Sequence, residues 1–182
     1  MRELSLNVLD VAQNSVAAQA AQIEIEVRRD TAAQTLLIGI RDDGKGMTEE
    51  QVKAVRDPFY TTRTTRKVGL GVPLFKMAAE MTGGSLEIES EVGVGTTVRA
   101  FFHTDHVDFV PLGDMANTIV TLAAMNEAIR FLYHYEVDGR AFTFDTAEIK
   151  AILGDVPMND PAIMQWMTAY INENSQAITE VQ

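Results

Sequence analysis

Two periods of apolar spacing alternate along this chain, and each change of period marks an element. Over residues 3–20, Leu6, Leu9, Val16 and Ala20 return at roughly helical spacing, which predicts a helix. QIEIEV then alternates strictly. Ile23, Ile25 and Val27 share one face and Glu24 and Glu26 the other, as in a half-buried strand. TLLIGIR is a second strand ending at Asp42. Thr48 opens the capping-box pattern T-E-E-Q and a short helix to about Val55. Residues 57–68 have no clean period and read as a polar, Thr-rich loop. Pro73 suits the first turn of the next helix, and Gly83-Gly84 its end. SLEIES and TTVRAFF alternate as two strands joined by an EVGVG turn. The order is helix, two strands, short helix, loop, helix, two strands. It predicts an α+β protein, a two-layer α/β sandwich with a mixed sheet.

Beyond His103 the pattern changes. Residues 114–130 read as a helix. FLYHYEV and AFTFD flank Asp138-Gly139, a strong hairpin signal. TAEIKAIL and DPAIMQWMTAYINEN read as two further helices, with Thr146 and Asp160 as N-caps. We therefore expect a first unit over 1–104 and a mainly helical appendage with a β-hairpin over 105–182. Met164, Trp166, Met167 and Tyr170 are expected to fill the core of the appendage.

Composition narrows the classes. The chain has 182 residues, 46% hydrophobic and 23% charged, enough to bury a core. It has no cysteine, so no disulfide framework or thiolate site. The net charge of −11 is uneven. Residues 1–104 hold 12 basic and 14 acidic side chains, whereas 105–182 hold 3 and 12. Such an acidic chain is a poor general binder of nucleic acid. No apolar run reaches the ~18–20 residues of a membrane span, and the first ten residues do not resemble a signal peptide. A cytoplasmic protein with no membrane partner is expected.

Four short segments carry candidate chemistry. Asp10 and Asn14 lie one turn apart on the first helix, with Asn7 on the same side. An amide oxygen can ligate a hard cation that keeps its waters, and a carboxylate can orient or deprotonate a nucleophile. In DDGKGM, Asp42 ends a strand, and Gly44 and Gly46 allow a tight turn against a flat ligand. Met47 closes that turn. A carboxylate there can accept an adenine amino proton, where guanine would present a repelled carbonyl. Gly69, Leu70 and Gly71 open a helix whose free amides suit phosphate, beside Arg63, Arg66 and Lys67. GVGTT, with Thr96, reads as a hairpin turn or as the wall beside Asp42. Each segment alone also has an ordinary structural reading.

Taken in this order, the segments resemble the Bergerat-fold ATPases, the GHKL superfamily of DNA gyrase B, ninety-kilodalton heat-shock chaperones, histidine kinases and MutL. LDVAQNSVAAQA is similar to the N box, which implies Asn14 as a magnesium ligand. Asp42, Gly44 and Gly46 match the first glycine box, Gly69 and Gly71 the second, and GVGTT with Thr96 the third. The run from PFYTTR to TTVRAFF is especially similar to histidine-kinase ATP-binding domains. The resemblance covers about 3–103 and implies ATP and magnesium as cofactors.

The departures shape the functional expectation. Histidine kinases carry a dimerisation segment with a phosphoacceptor His ahead of this region. Here the only histidines are His103, His106 and His134, and the chain opens in the N box. A self-phosphorylating kinase of that architecture is therefore not expected. Asp10 stands where gyrase-like members have a glutamate base, so it serves either as a shorter base or as a holder of a magnesium-shell water. Residues 105–182 match no well-known appendage of the superfamily. They resemble the tail of small stand-alone histidine-kinase-like ATPases of anaerobic bacteria, through PLGDM and the VDGRAFTFDT–EIK–LGDVP run. The sequence thus predicts a magnesium-dependent ATP-binding protein that hydrolyses ATP or passes its γ-phosphate to a separate protein partner. The alternative is a nucleotide-switched binding module. The three histidines are expected to be structural or surface residues rather than phosphoacceptors or metal ligands.

Overall fold

The computed structural model describes residues 3–57 and 70–180. Twelve elements follow in chain order among them. They are α1 (Leu4–Ala17), β1 (Gln22–Asp30), β2 (Thr35–Asp42), α2 (Glu49–Arg56), α3 (Gly71–Glu80), β3 (Ser85–Glu91), β4 (Gly95–His103), α4 (Met115–Met125), β5 (Arg130–Val137), β6 (Arg140–Asp145), α5 (Thr146–Leu153) and α6 (Pro161–Thr179).

All six strands form one sheet in the order β3-β4-β2-β1-β5-β6. β1 and β5 run parallel, and every other neighbouring pair is antiparallel, so the sheet is mixed as expected. The alternation read in QIEIEV holds. Ile23, Ile25 and Val27 are buried, and their register partners Ile40, Ile38, Phe131, Tyr133 and Tyr135 are buried with them. Each buried apolar strand residue lies on this one face. Buried residues of α1, α3, α4, α5 and α6 join it in a single hydrophobic cluster. The opposite face carries ion pairs such as Arg41–Glu24, Arg28–Glu136 and Arg99–Glu89. The result is a two-layer α+β sandwich, helices on one side and charged strands on the other.

The hairpin after His103 is not set apart from this sheet. β5 pairs with β1 over eight registered positions, from Gln22↔Arg130 to Arg29↔Val137. Thr31 donates its N–H and Oγ1 to Asp138 at the hairpin tip, at 2.8 and 2.6 Å. The connection 104–114 ties back too, because Leu4 and Ser5 amides donate to the Pro111 and Leu112 carbonyls.

Three local readings are corrected. The helix expected over 114–130 ends at Met125, where Asn126 leaves the helical region (φ −137°) and donates its side-chain amide to the Leu122 carbonyl. That frees Arg130–Val137 to run as β5. The N-cap of α5 is Asp145, whose Oδ1 accepts from Ala147 N. Thr146 is the first helical residue, and its Oγ1 accepts from Phe131 N. Met167 is fully buried as expected, but Trp166 and Tyr170 are 42% and 36% exposed.

Candidate functional site

The buried stripe of α1 is Leu4, Val8, Val11 and Ala12. The helix turns Asp10 to the surface and leaves Asn14, one turn on, half-buried, while Asn7 is buried. Neither the Asp10 carboxylate nor the Asn14 side-chain amide is hydrogen-bonded to another described residue. Ser15 continues the buried stripe, and its Oγ donates to Asp42 Oδ2 at 2.5 Å. That short hydroxyl–carboxylate bond fixes α1 against the end of β2. Asp42 is 9% exposed, and its Oδ1 accepts from Gly44 N at 2.9 Å. No described cation pairs with it. Alternation along β2 aims it to the helical side, and its register partner there is Thr96.

The loop after Asp42 is clamped from two sides. Lys45 N donates to the Ala18 carbonyl at 3.0 Å, and Gly93 N to the Lys45 carbonyl at 2.7 Å. Met47, half-buried, donates its N–H to Ser90 Oγ at 2.8 Å. Ser90 Oγ in turn reaches the Gly95 carbonyl at 3.1 Å and Thr96 Oγ1 at 2.7 Å. Between these ties Gly46 adopts φ +72°, and a Cβ there would stand 2.0 Å from the Glu91 carbonyl oxygen. No other residue fits this turn without moving β3. Gly44, also buried, runs against Ala18 in the same way.

α3 begins beside this floor. A Cβ on Gly71 would lie 3.2 Å from Asp10 Cβ, so the first turn of α3 abuts α1 at the residue proposed to act on phosphate. No side chain caps α3 at Leu70, which is 53% exposed, so the opening amides of the helix stay available to an anion. Asp10, Asn14, Asp42, Gly44, Gly46, Met47, Leu70, Gly71 and Thr96 are thus spread over α1, the β2 end, the α3 start and the β4 start. Arg63, Arg66, Lys67 and Gly69 lie outside the described residues. An open cleft of about 630 Å³ runs over the strand ends, sharing Asp42, Gly95 and Thr96 with this floor but otherwise lined by charged-face residues such as Glu24, Arg41 and Arg99.

Two residues of the floor escaped sequence reading, although each left a trace. Ser15 is a polar residue in phase with the buried stripe of α1. Ser90 is a polar residue in the core phase of β3, after Leu86 and Ile88. A polar side chain in a buried phase needs a partner, and both have one.

Comparison with known proteins now decides the family. Residues 1–106 match the family described as histidine kinase-, DNA gyrase B-, and HSP90-like ATPase. The chain belongs to this family. Among curated relatives, sporulation kinase C of Bacillus subtilis (strain 168) is 30% identical over 91 residues, 50% of this chain and 21% of that protein. Sensor protein SrrB of Staphylococcus aureus (strain COL) is 39% identical over 79 residues, 41% and 14% of the two chains. The non-motile and phage-resistance protein of Caulobacter vibrioides is 31% identical over 114 residues, 59% and 14%. The chain therefore spans about a fifth or less of the length of these relatives. Among solved structures, the N-terminal domain of a DNA repair protein superposes with a TM-score of 0.56 at 18% identity, covering 79% of this chain and 52% of that one. That likeness concerns the fold, and it runs past the stretch the family match covers.

No described helix is long and apolar enough to cross a membrane. No cluster of three metal-ligating His, Cys, Asp or Glu side chains occurs among the described residues.

Proposed function

We propose that this family member binds magnesium–ATP against the floor formed by Asp42, Gly44, Gly46 and Thr96, with the triphosphate toward Asn14 and the start of α3. The observation that carries the reading is the Asp42 carboxylate. It is buried, no cation among the described residues pairs with it, and it is held by one hydroxyl and one amide. A carboxylate offers about four acceptor sites, so it keeps capacity for an adenine amino group. Burying an anion without a counterion is costly unless donors meet it, and a nucleotide edge supplies one more.

The residues present suit magnesium held by phosphates. Mg²⁺ keeps several waters and needs only one or two protein oxygens beside the nucleotide, and the Asn14 amide has no hydrogen-bond partner among the described residues. When bound, the ion would supply charge neutralisation at the phosphates. Asp10, exposed one turn before Asn14 and against Gly71, would orient or deprotonate a nucleophile, or hold a water of the ion's shell. Gly69 and the basic trio Arg63, Arg66 and Lys67 belong to the same proposal as phosphate-facing groups. The γ-phosphate then passes to water or to a separate protein, in a cytoplasmic setting.

The test incubates the protein with magnesium and γ-labelled ATP, with Asp10→Asn in parallel. Label in free phosphate or on protein, lost in the variant, establishes turnover with Asp10 in the mechanism. ATP binding with no label in either pool establishes instead a nucleotide-switched module. Absence of ATP binding overturns the reading.

A further inference from the structure

The two edges of the sheet are built differently. β3 closes one side, and its outer positions Glu87, Glu89 and Glu91 line that edge with exposed like charge, the usual protection against strand addition. β6 closes the other side without such protection. The two-residue turn Asp138-Gly139, with φ +50° and +84°, makes Val137–Arg140 the mutually hydrogen-bonded pair. Arg140, Phe142 and Phe144 then bond to β5, while the N–H and C=O groups of Ala141 and Thr143 and the N–H of Asp145 point away from the sheet, the Asp145 carbonyl being taken by the first turn of α5. The exposed side chains on this edge are only Ala141 and Thr143.

Beside this edge runs α6. Its exposed residues include Ala162, Trp166, Ala169, Tyr170, Glu173 and Ala177, spaced as one stripe. Trp166 and Tyr170 stack with ring centroids 5.5 Å apart, and Tyr170 meets Phe142 of β6 edge-on at 5.7 Å. Single exposed aromatics are ordinary, but a stacked pair flanking an open strand is a continuous apolar surface.

Charge identifies the occupant. Residues 105–182 hold 3 basic and 12 acidic side chains. Yet α6 has no Lys or Arg and only Glu173, while β6 has Arg140 and Asp145, the latter paired with Arg130. Counting Arg130, the patch is neutral within a chain of net charge −11. Interface cores are depleted of charge and enriched in aromatics in this way. A neutral patch gives no repulsion between two copies, whereas a basic partner would gain nothing from it.

The strand is also self-complementary. In an antiparallel pair the outward groups of Thr143 can face those of Thr143 in a second copy, with Ala141 opposite Asp145. On the helical side the same register sets Phe142 beside Phe144 of the second copy. It brings the two α6 stripes, each about 28 Å long, alongside one another. We infer that the chain forms a two-fold dimer through β6 edge pairing and α6–α6 packing, extending the sheet across both copies.

Sedimentation velocity of the full chain tests this. The wild type is expected near twice 20.1 kDa at ~100 µM. Its single tryptophan, Trp166, should red-shift in emission on dilution as the dimer dissociates. Thr143→Pro removes one outward amide without touching the β5 ladder and should yield a folded monomer. Trp166→Glu, on an exposed helix position, should weaken association by about 30-fold or more even if the proline variant folds poorly. A monomeric wild type at that concentration overturns the inference, and so does a dimer that persists in folded Thr143→Pro or in Trp166→Glu.

Discussion

Asp42 and Asp145 occupy the same local position in the two halves of the chain. Each ends a strand, each is nearly buried (9% and 8% exposed), and each accepts from the amide two residues on at 2.9 Å. They differ in everything else they touch. Asp145 takes both Nε and Nη2 of Arg130, at 3.0 and 2.6 Å, and starts α5. Those contacts neutralise its charge and fill three of its roughly four acceptor sites. Asp42 takes a serine hydroxyl and is followed by a glycine turn instead of a helix. The same residue type in the same place thus serves structure where a cation and a helix complete it. It is left with acceptor capacity where they are missing. The second arrangement is the one that can receive a ligand.

The sharpest test of that contrast exchanges each carboxylate for an amide. Asp42→Asn puts a donor where the adenine amino group needs an acceptor, so ATP affinity should fall more than about 100-fold, near 3 kcal/mol, with the fold retained. Titration calorimetry reads the first and circular dichroism the second. An unchanged affinity would falsify the adenine-site assignment.

Gly46 and Gly139 sharpen the comparison through the backbone. Both have positive φ, +72° and +84°. A Cβ on Gly139 meets nothing within 4 Å, whereas one on Gly46 would overlap the Glu91 carbonyl. Gly139→Ala should therefore cost about 1 kcal/mol, the left-handed penalty alone, and Gly46→Ala about 2–3 kcal/mol together with ATP binding. Equal losses in urea unfolding would show that the turn yields more easily than its contacts imply.

Asp145→Ala removes a cap and a paired carboxylate and should cost about 2 kcal/mol of stability while leaving ATP affinity intact. The pH dependence has a definite sign. The Arg130 hydrogen bond, ahead of the Ala147 amide, holds the Asp145 carboxyl below the ordinary range despite its burial. A group whose folded pKa is depressed adds stability above its unfolded value, near 3.9, and loses it as pH falls through the folded value. Wild-type stability should thus decline below about pH 4 more steeply than that of the variant, and parallel acid limbs would count against the pair.

Elements whose pattern is local were legible in the sequence. Alternation gave β1 and β2, T-E-E-Q gave the capping box of α2 with both bonds formed, and Asp138-Gly139 gave the hairpin. Long-range pairing was not legible. No local period tells that β5 lies parallel to β1, because register across 107 residues depends on which faces meet, as Ile25 meets Tyr133. The same holds for Trp166 and Tyr170. Helical spacing placed them on a face but could not say that β6 ends the sheet beneath them. At the candidate site, Asp42 and its glycines were readable as a turn motif. Ser15 and Ser90 were not, since their partners arrive from other elements.

Ser15 therefore supplies the finest test of the contrast. Its hydroxyl does for Asp42 part of what Arg130 does for Asp145, but without charge. Ser15→Ala leaves one carboxylate oxygen with a donor fewer and opens a small space beside it. The net worth of such a bond is about 1 kcal/mol, so ATP affinity should fall by roughly 5- to 10-fold, far less than in Asp42→Asn. If the hydroxyl merely anchors α1, the loss should appear in unfolding free energy and not in affinity. If it aims the carboxylate, the double variant with Asp42→Asn should bind no worse than Asp42→Asn alone, because the serine then has nothing left to orient. Additive losses in that cycle would separate Ser15 from the ligand-facing role and leave Asp42 positioned by the backbone of Gly44 alone.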